Sequence, residues 1–408
     1  MTAARSEHQP LLTVAPLTRT AVVVVSLALI VTGCSAAMTP TASVPAGVAQ
    51  TVDPHSAVSS PQTVSAQPEL TTTPANAAAP IDPSNVYAAT TGTLAPNVAA
   101  ITPRVYVPNS DEGTVSVIDP TTYQVVSTFK VGKNPQHIGP SWDLSTLYVS
   151  NDLGNSLTPI DPITGSPGTA IDVSDPYNLY FTPDGASAIV VAERMRRLDF
   201  RDPHTWQLQY SIQIPHKGAN HLDFTADGTT LLLSCEFSGW LVKINLPTRS
   251  ITGELDVKGQ PIDVKLSPDG KVFYVANMDR AGVSVIDPTT MTETSFIPTG
   301  KGAHGLNPSR DATRLYVSNR SANSVSVIDF ATRTVTATWP FNGTPDMGGV
   351  SANGKELWLS GRYRGEVYVI DTTTGTLTHR IPVGRGPHGL SFFPQPGRYS
   401  LGHTGNYR

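Results

Sequence analysis

The sequence predicts an all-β protein, a seven-bladed β-propeller with four antiparallel strands per blade and a ring closed by its C-terminal strand. Three observations carry this. One phrase recurs at near-constant spacing, each copy divides into four short alternating runs, and no stretch after residue 104 keeps a helical period.

The recurrence is plain in "RVYVPNSDEGTVSVIDPTT" from Arg104, "VFYVANMDRAGVSVIDPTT" from Val272 and "RLYVSNRSANSVSVIDFAT" from Arg314. Marking the end of the first apolar run in each copy gives Asn109, Asn151, Glu193, Glu236, Asn277, Asn319 and Gly361, spaced by 42, 42, 43, 41, 42 and 42 residues. Within a copy, "LYVSN" alternates as a half-buried strand does, and "SVSVID" is a second strand whose Asp suits an Asx turn. A third run such as "TVTATWPF" leads into a Gly/Pro loop, and a fourth such as "IDVKLSPDG" closes on an Asp-Gly hairpin signal. Four strands repeated seven times give seven blades.

The YVPN, YVSN and YVAN segments resemble the YVTN-repeat, or YncE-like, β-propellers over roughly residues 104–397. Two copies depart from that wording, with "IVVAERMRRLDF" and "LLLSCEFSGWLVKIN" in its place. The resemblance implies the fold and no single activity, since this repeat serves proteins of unlike function.

The first copy lacks an innermost strand, and "HGLSFFP" (His388 to Pro394) is expected to supply it, leaving no open edge. Residues 398–408 then form a tail expected to pack outside the closing blade, together with "NVYAATTGTL" from the lead-in at 81–103.

Ahead of the ring, Arg5 and Arg19 precede the apolar run Ala21 to Val31, and small residues lead to Cys34. That order is an export signal. It resembles the lipobox of bacterial lipoproteins, which implies that residues 1–33 are removed and that Cys34 carries lipid on the extracytoplasmic side of the cell membrane. Acyl chains anchor at about 0.8 kcal/mol per buried methylene. Residues 34–80 are rich in Ala, Thr, Pro and Ser, too poor in apolar residues to form a core, and read as a disordered stalk. With Cys34 lipidated, Cys235 has no partner for an internal disulfide. A net charge of −4 argues against a general polyanion binder, so nucleic acid is not an expected partner. A monomer is expected.

"GKGAHGL" (300–306) returns as "GRGPHGL" (384–390), in the loop carrying each blade into the next. The equivalent positions are His137, Asn178, His221, Asp263, His304, Asp346 and His388, all expected at the channel rim. Only 10 histidines occur in the chain, and four share this position. Two readings stay open. Loop-to-loop hydrogen bonds can satisfy such a ring, or His137, His304, Asp346 and His388, with His221 and Asp263 beside them, can hold one Zn, Fe, Mn or Cu ion. The same face carries Arg280, Lys301, Arg320, Arg362, Arg364 and Arg385, a candidate anion-binding sector. No nucleophile elbow, phosphate loop, zincin helix or dinucleotide fingerprint occurs. The leading expectation is a binding or scaffold module for a protein, envelope glycan or small anion. The alternative is a metal-dependent enzyme of hydrolase, lactonase or oxidoreductase type.

Overall fold

A computed structural model describes residue 82 and residues 84–408. Cys34, the export signal and nearly all of the stalk lie outside the described residues. Seven antiparallel sheets follow one another along the chain. Blade 1 holds Arg104–Asn109, Thr114–Asp119 and Gln124–Lys130, and Ser391–Phe393 pairs with Arg104–Asn109 as its innermost strand. Blades 3 to 7 each run outward through four strands, beginning at Pro176–Phe181, Ala219–Phe224, Pro261–Leu266, Ala303–Pro308 and Pro345–Val350. Blade 2 begins at Pro135–Pro140, and its outermost strand is broken into Ser166–Pro167 and Ile171–Asp172. Pro162, Pro167 and two glycines in that stretch cannot sustain a ladder. Among the described residues the helices are two 3-10 turns, Ala88–Thr91 and Glu236–Ser238, and no helix is long and apolar enough to cross a membrane.

The motif residues have structural duties. Asn109, Asn151 and Asn319, each fully buried, donate through Nδ2 to hydroxyls on the adjacent strand, such as Ser116 at 3.0 Å, Thr158 at 2.9 Å and Ser326 at 2.9 Å. The Asp ending "VID" accepts from the backbone two or three residues on, as at Asp119, Asp161, Asp287, Asp329 and Asp371. Asp199 instead is buried between Arg197 and Arg201. Apolar side chains fill the seams between neighbouring blades, and Cys235 lies in one of them, its thiol pushed up to about 12 by burial.

Both terminal segments lie elsewhere than the repeat pattern suggested. The tail 398–408 does not pack outside the closing blade. It enters the ring and pairs with inner strands: Ser400 N donates to Trp142 O, Phe181 N to Leu401 O at 3.0 Å, and His403 N to Leu179 O at 2.7 Å. Tyr399 and Leu401 join the core of blades 3 and 4, and Tyr407 that of blades 1 and 2. The lead-in crosses the same end of the channel, where Val86 N donates to Pro268 O and the Tyr87 hydroxyl to Leu266 O. Inner strands leave unpaired backbone groups and apolar side chains around the axis, and these two segments cover them. The channel is thus a cup, closed at one end and facing the interblade loops at the other.

Candidate metal centre

Each inner strand starts at the mouth of the cup and presents one of the seven polar side chains near its start. His137, Asn178, His221, Asp263, His304, Asp346 and His388 are all buried, at 4 % exposure or less. Backbone bonds fix His388 beside its neighbour, since Ile138 N donates to Gly389 O and Gly389 N to Gln136 O. The His137 and His388 ring centroids are 4.7 Å apart. Gly389 is required by this approach, because a Cβ there would meet His137 Nδ1 at 2.1 Å. The glycine makes room for a neighbouring ring.

A fifth imidazole comes from the tail. His403 rises from the closed end, stacks on Tyr180 and contacts Asn178 Nδ2 through Nδ1 at 3.1 Å. A Cβ at Gly139 would come within 2.1 Å of His403 O, so the tail lies flush on blade 2. His403 stands 4.7 Å from the His221 ring and 5.0 Å from that of His137, centroid to centroid, while His137 and His221 are 5.2 Å apart. Each of the three offers one nitrogen within 4.8 Å of the others. Both nitrogens of His137 and both of His221 are buried without a hydrogen-bond partner. Burial holds His137 down to about 3 and holds His221 and His403 well below the usual histidine range. All three are therefore neutral at pH 7; His137 and His221 have lone pairs free to ligate, and His403 keeps one on Nε2 in the tautomer whose Nδ1–H donates to Asn178 Oδ1, 3.4 Å away.

The second cluster is His304, Asp346 and His388. Its chemistry is already engaged. Arg320 Nη2 lies 2.9 Å from each Asp346 oxygen and 2.5 Å from His304 Nε2, while His304 Nδ1 is 2.8 Å from Asp346 Oδ1. Burial would raise the Asp346 carboxyl, but Arg320 and His304 hold it well below the usual carboxylate range. Asp263 is raised by burial despite Lys265 Nζ at 2.9 Å, and it also accepts from Leu306 N at 2.9 Å. That carboxylate braces blades 5 and 6 and stands 3.9 Å from His403 Nε2.

A family model described as a YncE-like β-propeller matches residues 75–396. The chain belongs to this family. No curated relative matches it in sequence. Among solved structures, a functionally unknown protein from Desulfotomaculum acetoxidans aligns at 16% identity and TM-score 0.62, over 71% of this chain and 98% of its own. A hydrazine synthase chain from Kuenenia stuttgartiensis aligns at 21% identity and TM-score 0.55, over 62% and 88%. A dihydro-heme d1 dehydrogenase, NirN, aligns at 15% and 0.56, over 70% and 74%. These likenesses concern the fold.

At the mouth of this YncE-like propeller the six candidate cations do not share one place. Arg280 is pinned to Glu293 at 2.8 Å and to Val257 O, Arg385 bonds Glu112 at 3.0 Å, Arg364 bonds Asn342, and Lys301 is exposed. Arg320 and Arg362 face the channel, and Arg362 Nη1 is buried without a partner. Opposite them stand acids. Burial, with repulsion among Glu193, Glu236 and Asp152, pushes Glu193 up to about 8, and burial pushes Glu236 to about 7. Tyr177 roofs the histidines, its ring 5.5 Å from that of His137. Sequence reasoning missed His403 because it stands outside the repeat frame that picked out the other four.

Proposed function

We propose that this propeller is an extracytoplasmic, lipid-anchored binding module whose cup holds one transition-metal ion on His137, His221 and His403. The observation that carries the reading is the pair His137 and His221, whose four ring nitrogens are buried and unpartnered. Leaving one such group unsatisfied costs about 1–3 kcal/mol, and a metal bound by three imidazoles would relieve that cost. Neutral imidazoles favour Zn, Cu or Fe over Mn, whose preference is for oxygen ligands. Three protein ligands leave a coordination position open. Arg362 and the mouth loops would direct a small anionic ligand toward it. The sequence around Cys34 supports the anchor and the extracytoplasmic side.

The test is metal analysis of the full chain, purified in detergent, with anomalous diffraction at the metal edge. One equivalent of metal bound by the three histidines is expected. No stoichiometric metal, with thermal stability unchanged by EDTA, would remove the reading.

A further inference from the structure

Two triads adjoin in the cup, yet they differ in one respect. In the tris-histidine set His137 and His221 are without partners and His403 touches only neutral Asn178 at hydrogen-bond distance, whereas the His304, Asp346 and His388 set already contains a cation. We infer that Arg320 is an internal stand-in for a second metal ion, and that it limits this centre to one metal. The inference rests on the reading of the tris-histidine set as a metal site.

The Arg320 guanidinium donates to both oxygens of Asp346, so the charge of that carboxylate is already compensated. It also donates to His304 Nε2, which uses that nitrogen's lone pair and leaves the ring proton on Nδ1, beside Asp346 Oδ1 at 2.8 Å. His304 then has no lone pair to give. His388 alone remains, its Nε2 3.8 Å from Asp346 Oδ1 and its Nδ1 without a partner. A dication added here would face a buried positive charge at contact distance, since the Arg320 side chain is only 11% exposed.

The consequence is chemical. The His137 and His388 rings that join the triads are 4.7 Å apart, so two ions would be neighbours, as in centres that clamp a substrate between paired metals. With Arg320 in place, the second position supplies a fixed guanidinium beside a single ion. Such a pair suits an anion that ligates the metal through one oxygen and accepts from Arg320 or Arg362 through another. Arg320 Nη2 alone serves both oxygens of Asp346 and His304 Nε2.

The test is Co(II) titration of the metal-stripped full chain in detergent, comparing wild type with Arg320→Gln and with the double variant Arg320→Gln/Asp346→Asn. Absorption reports geometry, and dialysis followed by elemental analysis reports stoichiometry. Saturation at one equivalent in wild type, two in Arg320→Gln and one in the double variant is expected. One equivalent in both wild type and Arg320→Gln overturns the role of Arg320 and leaves the tris-histidine reading standing. Two equivalents in wild type overturn it as well. Zero in wild type overturns the metal reading itself. If Arg320→Gln does not fold, Arg320→Met carries the same comparison, because it is uncharged, unbranched and adaptable in a partly apolar site.

Discussion

Arg408 closes on Asp223 inside the ring, its Nη2 donating to both carboxylate oxygens at 2.7 and 2.8 Å where both side chains are shielded from water. Asp223 also accepts from Phe224 N and Leu266 N, each at 2.8 Å, so this contact ties the tail to blades 4 and 5. Arg408→Ala leaves the carboxylate buried without its cation and is expected to cost about 3–5 kcal/mol. The paired change Arg408→Gln/Asp223→Asn is expected to cost less than Arg408→Ala alone. Guanidinium denaturation of both variants checks this; equal loss in the two would show that the charge pair is not the cause.

His403→Ala is expected to lower metal affinity more than about 100-fold, beyond the 10–100-fold typical of changes among a ligand's outer partners. The fold survives, because the tail keeps its backbone bonds to Trp142 and Leu179. Calorimetric titration with zinc, alongside circular dichroism, measures both effects.

Metal-free protein is expected to be most stable near pH 6.5. Below it, unfolded histidines take protons that His137 refuses until about 3 and His304 until about 4, so acid favours unfolding. Each such imidazole withdraws about 2 kcal/mol by pH 5. Glu193 and Glu236 act in the opposite sense, since their folded carboxyls keep protons up to about 8 and about 7 while unfolded ones lose them near pH 4.5. Their contribution declines as pH rises through that window. Urea midpoints from pH 5 to 9 should trace this dome, and Glu193→Gln should flatten its alkaline side.

Gly389→Ala is expected to weaken metal binding without removing a ligand, because the new methyl would displace His137 from Nδ1 outward. A shifted Co(II) spectrum in a folded variant is the readout, and an unchanged spectrum would count against His137 as a ligand.

Cys34→Ala is expected to release the protein from the membrane fraction and to abolish incorporation of labelled palmitate. Retention of both would argue for a different anchor.

The ring was legible because seven copies of one strand pattern leave a period that local chemistry alone reveals. The first copy lacks an inner strand and "HGLSFFP" is the spare one, and Ser391–Phe393 pairs there. Four imidazoles were found at one repeat position for the same reason. The path of residues 398–408 is not legible in the sequence, because its partners are main-chain groups of blades 2 and 3 and the buried carboxylate of Asp223, 185 residues away. The cation sector shows a similar limit. Arg280 and Arg320 lie in the same loop of successive blades, three residues after Asn277 and one after Asn319, and Glu293 draws the first outward while Asp346 draws the second to the axis.

Blade 1 takes Arg104–Asn109 from one end of the ring and Ser391–Phe393 from the other. That stitch sets a timetable. The circle stays open on the ribosome until its late strand has emerged, and long-range pairing of this kind is slow. Premature termination anywhere upstream of Ser391 would yield an unclosed arc with a raw edge strand, a product destined for aggregation and proteolysis.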